Sequence, residues 1–428
     1  MSEEDRRRIM RRAQADITAL MPKVQPILDM VRDEGDAALV RLTHEFDGVE
    51  LDISDIQVTQ EEIDAARNLL SEDVRRALEF CIGNVKRFHE AQMERVEREW
   101  RIEVMPGVWA GERVTPVASV GLYVPRGKAA YPSSLYMQAI PSRLAGVEQI
   151  AVVTPPASDG SVDPAYLYAA HICGVDQIYK AGGAQAIAAL AYGTETIPRV
   201  AKVTGPCSPY GAAAKMALAH LLDPGMPAGP SESIVLCDGT EGVHDTVLDL
   251  MNEMEHGSDS AALLVTHDKE FSEKIAADLA VCVADLPSPQ REYCRDVLQN
   301  YGGIIVTENI DQSIDFINDY APEHLHIKTA DPEKHVQQIQ NAGEILIGAW
   351  TPSSLGNFGL GVNHVLPTGG MAKSYSCTSV WDYLKRISLA KANKEGFDTL
   401  KDPVADMARY EQLPAHEWAV TRRRGEDR

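Results

Sequence analysis

Short apolar runs that alternate with helical stretches are the feature that most constrains the fold of this 428-residue chain. From Ser119 onwards, runs such as SVGLYVP, EQIAVVTPP, DQIYKAGG and RVAKVTGP are each stopped by glycine or proline, as buried strands are. Helices predicted at 134–145, 165–173 and 184–192 separate these runs. Strands that alternate with helices form parallel βαβ units with right-handed crossovers. The sequence therefore predicts an α/β fold.

A second series of the same kind follows the segment AGPSE. It begins with SIVLCD and continues through predicted helices at 243–255 and 269–279, the runs AALLVT and GGIIVT, and a last apolar run, EILIGAW. The first hundred residues have apolar positions three and four apart in segments such as 74–88, which predicts helices, and the polar segment after Leu366 is also predicted to be helical. The expected fold class is α/β, with two Rossmann-like parallel-sheet domains and helical N-terminal and C-terminal extensions.

The arrangement of the two series predicts that one domain is inserted into another. We expect an N-terminal helical extension over residues 1–25, a discontinuous α/β domain formed by 26–115 plus 232–370, an inserted α/β domain over 116–231, and a C-terminal extension over 371–428. The C-terminal extension is too short to be a domain alone, so we expect it to dock on something, such as a second subunit.

The charge and cysteine content exclude several classes of protein. The net charge of -22 argues against a nucleic-acid partner, because phosphate binding depends on clustered Lys and Arg. The first residues lack the apolar stretch of a signal peptide, and no apolar run is long enough for a membrane span. The seven cysteines are scattered without a C-x-x-C pair, which predicts reduced thiols and excludes a cysteine-built zinc site. We expect a cytoplasmic protein without nucleic-acid or membrane partners.

Two pairs of carboxylate and imidazole side chains could carry chemistry. In MNEMEHGSDS, Glu253 and His256 are three residues apart on a helix that Gly257 ends, so they can chelate a metal or form a surface ion pair. In YAPEHLHI, Glu323 and His324 are adjacent after a proline. This second pair suits proton transfer and activation of water, or equally a solvated Glu beside a packed His. Both interpretations of each pair stay open at this point.

Glycine-rich loops supply candidate binding positions. Neither standard phosphate-binding pattern occurs, but Gly182 and Gly183 in AGGAQAIAALAYG would close a strand and open a helix whose amides could receive a pyrophosphate. TGPCSPY is a similar loop at a strand end. The loop SSLGNFGLGVNHVLPTGG holds Asn357 and His364, and its glycines let backbone approach a ligand closely. Tight packing and simple turns are the alternative explanations for these glycines.

Together these motifs resemble the histidinol dehydrogenase family, from FDGVELD near residue 46 to AHEWAV near the C-terminal end. Order and spacing agree along GLYVPRGKAAYPSSLYMQAIPSRLAGV, AGGAQAIAALAYGTETIPRV, MPAGPSES, MEHGSDS, YAPEHLHI and GVNHVLPTGG. The resemblance implies a homodimeric enzyme that uses zinc and two NAD molecules to take a small primary alcohol through an aldehyde to a carboxylate. It also implies that 116–231 binds NAD, that 26–115 plus 232–370 carries the metal and catalytic groups, and that the C-terminal extension reaches the partner subunit.

The resemblance assigns a role to individual positions. His324 would be the general base for hydride transfer, and Glu323 would help to activate the water that attacks the aldehyde. The zinc ligands would be Glu253, His256, Asn357 and His416, the last of which comes from the partner subunit in this family. Substrate contacts would come from Ser133, Ser231, His364 and Glu411, and NAD contacts from Tyr123, Gln185 and Ser208.

Four motifs depart from the usual pattern of the family. Its first zinc ligand is Gln where this chain has Glu253, and its third is Asp where this chain has Asn357, so the negative charge moves from a loop to a helix. Its GPGN loop is GPCSPY here. Its PGG is Pro125, Arg126 and Gly127, and Arg126 could pair an anionic group of the substrate.

Three functions therefore compete. Oxidation of histidinol to histidine is favoured because His364, Glu411 and His416 are all present. Oxidation of another small polar alcohol, such as 2,3-dihydroxypropane-1-sulfonate to sulfolactate, is favoured by Arg126 and by the exchanged zinc ligands. A non-catalytic metal-binding relative is the third possibility, and the intact acid-base pair argues against it.

Overall fold

The computed structural model describes residues 3–13, 17–126 and 130–423. The chain divides into two compact units. The larger comprises the described residues of Met1–Met93 and Val117–Tyr383, and the smaller comprises those of Glu94–Pro116 and Leu384–Arg428. Both parallel sheets belong to the larger unit. The division of this unit into domains at residues 116 and 232 stays a prediction.

Helices account for most of the regular structure. In chain order they are α1 (Glu3–Arg11), α2 (Ile17–Glu34), α3 (Asp36–Asp47), α4 (Gln60–Leu69), α5 (Glu72–Met93), α6 (Pro132–Ala145), α7 (Pro164–Cys173), α8 (Gly183–Tyr192), α9 (Pro209–Ala217), α10 (Val243–Met254), α11 (Lys269–Asp285), α12 (Gln290–Asn300), α13 (Ile310–Tyr320), α14 (Pro332–Val336), α15 (Ser353–Phe358), α16 (Lys394–Tyr410) and α17 (Pro414–Thr421). Short 3-10 helices cover Ile53–Asp55, Met371–Lys373 and Val380–Tyr383. In the described part of the chain, no helix combines the length and apolar character needed to cross a bilayer.

The strands form three sheets. In chain order they are β1 (Glu99–Met105), β2 (Val108–Pro116), β3 (Ser119–Tyr123), β4 (Gln149–Thr154), β5 (Ile178–Lys180), β6 (Lys202–Thr204), β7 (Glu232–Cys237), β8 (Ala261–Thr266), β9 (Gly303–Val306), β10 (His324–Lys328), β11 (Glu344–Ile347) and β12 (Leu384–Ala392). Two of the sheets are parallel, which confirms the predicted α/β fold class.

The first parallel sheet has the strand order β5-β4-β3-β6. Its residues are buried except at the start of β4, because helices cover both faces of the apolar runs. A Cβ on Gly121 of β3 would lie 2.6 Å from Cδ1 of Leu190, so this glycine lets α8 approach the sheet closely. The chain runs outward from β3 through β4 to β5 and then returns past β3 to β6. The connections therefore reverse direction between β3 and β6.

The second parallel sheet has the strand order β11-β10-β7-β8-β9. The strands β7 and β8 have apolar residues on both faces: Val235 and Leu264 pack in one core with residues of α10, α11 and α12, and Ile234 and Leu263 pack in another with residues of α13. The run EILIGAW provides β11, as predicted, and α11 continues to Asp285, beyond its predicted end. Alternate side chains of these strands therefore fill separate cores.

The strand β10 carries a row of polar side chains. His324, His326 and Lys328 alternate along it with apolar residues that join the core formed with α13. The fully buried Nζ of Lys328 donates to Oδ2 of Asp249 on α10 at 2.5 Å, and Nδ1 of His326 lies 3.5 Å from the same oxygen. Because alternate residues of a strand share a face, the whole polar row faces α10.

The N-terminal helices confirm the helical character predicted for the start of the chain, up to Met93. Leu28 of α2 and Ile187 of α8 belong to one core, so α2 covers the first sheet. Beyond α1, Nη1 of the buried Arg12 donates to Oε1 of Glu232 on β7 at 2.6 Å. This ion pair fixes the N-terminal segment to the second sheet, and no sequence motif predicts it.

The smaller unit contains a C-terminal strand that the sequence did not predict. Its antiparallel sheet has the order β1-β2-β12 and is followed by α16 and α17. The helices were predicted, but β12 was not: it pairs with β2 from Leu384 opposite Pro116 to Ala392 opposite Val108. Most residues of β12 are exposed, so backbone pairing rather than apolar burial defines this strand. A periodicity of buried side chains could therefore not reveal it.

Candidate active site

The predicted catalytic residues lie at the amino-terminal edge of the second sheet. Glu323 immediately precedes β10, His324 is the first residue of β10, and Ser231 immediately precedes β7. The parallel register places His324 directly beside Glu344, the first residue of β11. The last turn of α10 reaches the same edge with Glu253.

Three carboxylates surround His324. Its Nδ1 lies 2.5 Å from Oε1 of Glu344, and its Nε2 lies 3.8 Å from Oε1 of Glu323 and 4.0 Å from Oε2 of Glu253. Burial opposes the charged form, but the charges of the three carboxylates and the hydrogen bond with Glu344 raise the pKa of His324 to about 10. The surrounding carboxylates favour the charged form of the ring, and its Nδ1–H donates to Glu344.

Glu323 is held in a buried position by the backbone of the neighbouring strand. Its Oε2 accepts the N–H of Glu232 at 2.9 Å. Burial, together with the charges of Glu253 and Glu232, raises the pKa of the Glu323 carboxyl well above its usual value, although His324 acts in the opposite direction. A carboxyl group with a raised pKa binds a proton more readily than an ordinary carboxyl group, which suits a role in proton transfer.

The predicted metal ligands of the larger unit are grouped around Glu253. This carboxylate is fully buried, and its Oε1 accepts a hydrogen bond from Nδ2 of Asn357 at 3.4 Å. Its Oε2 lies 3.6 Å from Nε2 of His256, which follows the end of α10. The ring of His256 stacks against Tyr131 with a centroid separation of 6.5 Å. Glu255 is exposed, as the helical spacing predicts.

This group of side chains fits a divalent cation. Oε2 of Glu253 is buried and accepts no hydrogen bond from any described residue. Burial acts against ionisation, but His324, His256 and the hydrogen bond from Asn357 lower the pKa of Glu253, so this oxygen carries charge. A carboxylate oxygen, an imidazole nitrogen and an amide oxygen are ligands that zinc accepts, and a half-turn of the Asn357 amide would present its oxygen.

Three predicted substrate contacts lie in the larger unit. Ser133 is buried in the first turn of α6, and the carbonyl of Ser231 accepts the N–H of Ala261 at 2.9 Å. Nε2 of His364 is buried and has no hydrogen-bond partner among the described residues. Burial and the charge of His324 lower the pKa of His364 to about 4, so this ring is neutral and can accept a hydrogen bond.

The predicted NAD positions follow the strands of the first sheet. Tyr123 ends β3, and its hydroxyl accepts the N–H of Gly183 at 3.0 Å, next to Gln185 in the first turn of α8. Ser208 caps α9 after β6 and accepts the N–H of Gly211. Arg126 follows β3, and its Nη1 donates to the carbonyl of Pro156. Open parallel sheets bind ligands where the strand order reverses, which here is between β3 and β6.

Some predicted positions lie elsewhere. Glu411 follows α16 and His416 lies in α17, both in the smaller unit and both exposed. Gly127, the third residue of the altered glycine motif, lies outside the described residues.

Sequence reasoning missed Glu344, which contributes the hydrogen bond to His324 at the centre of this site. The residue begins the run EILIGAW, which the sequence marks only as a strand. A polar residue at the start of such a run was the available signal. The signal alone could not identify the partner of His324, because this depends on the register of two strands 20 residues apart.

Comparisons with known proteins agree along nearly the whole chain. The histidinol dehydrogenase family model matches residues 10–424. Histidinol dehydrogenase of Synechocystis sp. is 48% identical over 415 residues, which cover 97% of this chain and 95% of that protein. A histidinol dehydrogenase homolog 2 of Mesorhizobium japonicum is 46% identical over 414 residues, which cover 96% of this chain and 94% of that protein.

A solved structure agrees with these sequence matches. The crystal structure of histidinol dehydrogenase from Elizabethkingia anophelis aligns with a TM-score of 0.91 and 34% identity, and the alignment covers 98% of this chain and 96% of that one. The agreement in sequence and in fold leads to one conclusion: the chain belongs to the histidinol dehydrogenase family.

Proposed function

We propose that this chain is a zinc-dependent NAD dehydrogenase that oxidises a primary alcohol through an aldehyde to a carboxylate, with histidinol as the favoured substrate. The position of His324, between Glu344 at one ring nitrogen and Glu323 near the other, carries this proposal. Membership of the histidinol dehydrogenase family supports the dehydrogenase chemistry. In the balanced reaction, one alcohol, two NAD+ and one water give one carboxylate, two NADH and three protons.

The metal would be held by Glu253, His256 and Asn357 of one subunit and by His416 of the partner subunit. Zinc, when bound, polarises the oxygen of the substrate and favours loss of its proton. The buried Oε2 of Glu253, which lacks a hydrogen bond from the described residues, supports this assignment. The charge on Glu253 compensates for the neutral amide at Asn357.

His324 would move the first proton. Positive charge beside Glu253 offsets the carboxylates that raise the pKa of His324, so the ring can be neutral in the loaded enzyme. Glu344 accepts the Nδ1–H and thereby selects the tautomer with an unprotonated Nε2. This nitrogen then takes the hydroxyl proton of the substrate while hydride passes to NAD+. The side chains proposed to contact NAD are those of Tyr123, Gln185 and Ser208.

Glu323 would act in the second oxidation. Its Oε1 lies 3.8 Å from Nε2 of His324, so both groups can contact the same substrate atoms. Its raised pKa suits a carboxylate that accepts a proton from the water attacking the aldehyde carbon. The resulting hydrate loses its second hydride to NAD+, and His324 again accepts the hydroxyl proton.

Two apolar surfaces support a homodimer with a shared active site. Around Asn357, the larger unit exposes Trp350, 91% of whose surface is accessible, and Phe358. Around Glu411 and His416, the smaller unit exposes apolar side chains, namely Tyr410, Leu413 and Trp418. We infer that this part of one subunit docks beside Asn357 of its partner, because exposed aromatic residues of this kind mark interfaces. A cytoplasmic location, to which the seven free cysteines are suited, completes the proposal.

The substrate is assigned by weighing two observations. The neutral ring of His364 and the presence of Glu411 favour a substrate with imidazole and amine groups, such as histidinol. Arg126 is exposed after β3 and favours an anionic alcohol such as 2,3-dihydroxypropane-1-sulfonate, which is our second candidate. Some similar proteins are named histidinol dehydrogenase and others histidinol dehydrogenase homolog. Family membership alone therefore does not distinguish between the two substrates.

The deciding experiment compares the two alcohols. Purified full-length protein is supplied with zinc and NAD, and NADH is followed spectroscopically with histidinol and with the sulfonate. Two NADH per histidinol at ordinary enzyme rates would support our assignment. Turnover of the sulfonate alone would assign the second candidate as the substrate. Metal binding without turnover of either alcohol would favour a non-catalytic relative.

The His324→Asn variant tests whether the observed turnover comes from this site. It should lose activity with the active alcohol, whereas His335→Asn, a buried histidine hydrogen-bonded to Thr329 at 2.8 Å, should retain it. Equal activity of His324→Asn and the unmodified protein would refute the assigned base.

A further inference from the structure

Three side chains with metal-binding atoms converge between α10 and α11, apart from the candidate active site. They are His244 in the first turn of α10 and Asp278 and Cys282 on α11. Nδ1 of His244 lies 3.0 Å from Oδ2 of Asp278 and 3.8 Å from Sγ of Cys282. All three ligand atoms lie within 4.8 Å of one another.

The positions on the two helices explain this convergence. Asp278 and Cys282 are four residues apart, so they project from the same face of α11. His244 reaches them from the neighbouring helix α10, which packs against α11 in the core of the second sheet. The three side chains therefore come from two rigid elements, and only small side-chain movements are needed to bring their donor atoms around one ion.

Two of the three separations are close to those of a tetrahedral metal site. Zinc binds imidazole nitrogen at about 2.0 Å and thiolate sulfur at about 2.3 Å, so two such ligands at a tetrahedral angle lie about 3.5 Å apart. The separation of 3.8 Å between His244 and Cys282 is close to this value. Nitrogen and oxygen ligands would lie about 3.3 Å apart, close to the 3.0 Å between His244 and Asp278.

The alternative is an ordinary ion pair between His244 and Asp278 with a neutral Cys282 thiol beside it. In that arrangement the Nδ1 and thiol protons supply the contacts, whereas a cation would bind all three donor atoms at once. Asp278 and Asp285 place negative charge around Cys282. A cation would relieve the repulsion that these groups impose on a thiolate.

We propose that His244, Asp278 and Cys282 form a second metal site, for a thiophilic divalent cation of the zinc type with water as the fourth ligand. Binding releases the Cys282 proton to solvent, because the thiolate is the ligand. The site is distinct from the one proposed at Glu253, which lies nine residues later on α10, or about 13 Å along the helix axis. Metal here would connect the start of α10 to α11 and stabilise the fold, whatever reaction the protein catalyses.

A cadmium titration tests this proposal, because thiolate coordination produces an ultraviolet charge-transfer band and the proposed catalytic set contains no thiol. The full-length protein is stripped with a chelator, and Cd²⁺ is added while absorbance is recorded. Cys282→Ser should lose the band and should bind Cd²⁺ at this site about 10- to 100-fold more weakly. The matched control Cys81→Ser removes a half-buried thiol on α5 and should keep the band.

Two further measurements identify the other ligands and separate the two sites. His244→Asn should also weaken Cd²⁺ binding by about 10- to 100-fold and alter the band, and its exposed position makes misfolding an unsuitable explanation. Cys282→Ser should keep the dehydrogenase activity, because Cys282 lies outside the proposed catalytic set. A band that persists in Cys282→Ser, or unchanged affinity in His244→Asn, would overturn the second site and would leave the proposed function intact.

Discussion

Glu344 stands beside His324 in the β10–β11 ladder, and its Oε1 lies 2.5 Å from Nδ1 of the ring. Both residues begin their strands, so the register alone creates the contact. A carboxylate in this position holds the ring orientation and selects which nitrogen carries the proton. His324 therefore acts as part of a pair, and the adjacent Glu323 is left to interact with the other nitrogen.

The first prediction tests this pair. In Glu344→Gln the amide can donate to Nδ1, which favours the tautomer with a protonated Nε2 and removes the base. We expect kcat to fall by about 100-fold, with a much smaller change in KM for the alcohol. Steady-state NADH formation measures both constants. Glu333→Gln, which alters an exposed carboxylate on α14, is the control, and equal kcat in the two variants would contradict the role of Glu344.

The fold was largely predictable because its main elements are marked locally. Apolar runs, the first four of them ended by glycine or proline, predicted the strands from β3 to β9 and β11, and their alternation with helices predicted the parallel sheets. What could not be predicted depends on partners that are distant in sequence. The contact of Glu344 with His324 depends on the strand register, and β12 forms by pairing with β2. The ion pair of Arg12 depends on Glu232, which is 220 residues away in the sequence.

The candidate site shows the same distinction. Glu253 and His256 could be paired from helical spacing, and Glu323 and His324 from adjacency, but nothing in the sequence brings the two pairs together. The structure does so by placing the last turn of α10 over the start of β10, where Glu253 lies 4.0 Å from His324. The polar residues that accompany this contact, Asp249 and Lys328, carry no recognisable motif.

The second prediction concerns the buried ion pair of Asp249 and Lys328. Lys328→Met leaves a carboxylate buried without its cation, which should lower the free energy of unfolding by about 3–5 kcal/mol. Adding Asp249→Asn removes that charge and should recover most of the lost free energy of unfolding. Urea unfolding followed by fluorescence provides the comparison. If the double variant is no more stable than Lys328→Met alone, the uncompensated charge of Asp249 is not the cause of the loss.

The third prediction uses His89, a fully buried residue of α5. Its Nδ1–H can donate to the carbonyl of Val85 at 2.8 Å while Nε2 accepts from Nδ2 of Asn363 at 3.3 Å, an arrangement that requires a neutral ring. Burial lowers the pKa of His89 below its usual 6.5, although its backbone hydrogen bonds act in the opposite direction. As the pH falls, His89 therefore binds a proton at a higher pH in the unfolded chain than in the folded chain.

The sign of the pH effect follows from this difference. The contribution of His89 to stability is present above pH 6.5 and is lost as pH falls towards the lower pKa of the folded state. His89→Gln should therefore show a smaller loss of urea midpoint between about pH 7.5 and about pH 5.5 than the unmodified protein. His220→Gln, at an exposed position, should leave the pH dependence unchanged. Identical slopes for His89→Gln and the unmodified protein would count against this explanation.

The fourth prediction tests the exchange of charge between two proposed zinc ligands. Glu253 and Asn357 are neighbours, with Nδ2 of Asn357 3.4 Å from Oε1 of Glu253, so a carboxylate on either residue would face the same space. Glu253→Gln removes the negative charge and should weaken zinc binding by about 10- to 100-fold. Adding Asn357→Asp restores one carboxylate and should recover most of the affinity.

Competition against a zinc-sensitive dye measures this affinity without relying on activity. The measurement is made in a Cys282→Ser background, so that binding at the second proposed site does not contribute. Asn357→Asp alone is the necessary fourth member of the series: it places two carboxylates side by side, and their repulsion limits any gain in affinity. Failure of the double variant to bind zinc better than Glu253→Gln would show that the carboxylate must come from α10, because Asn357 lies on a different helix, α15. The charge would then be fixed by the geometry of α10 and would not be interchangeable between the two positions.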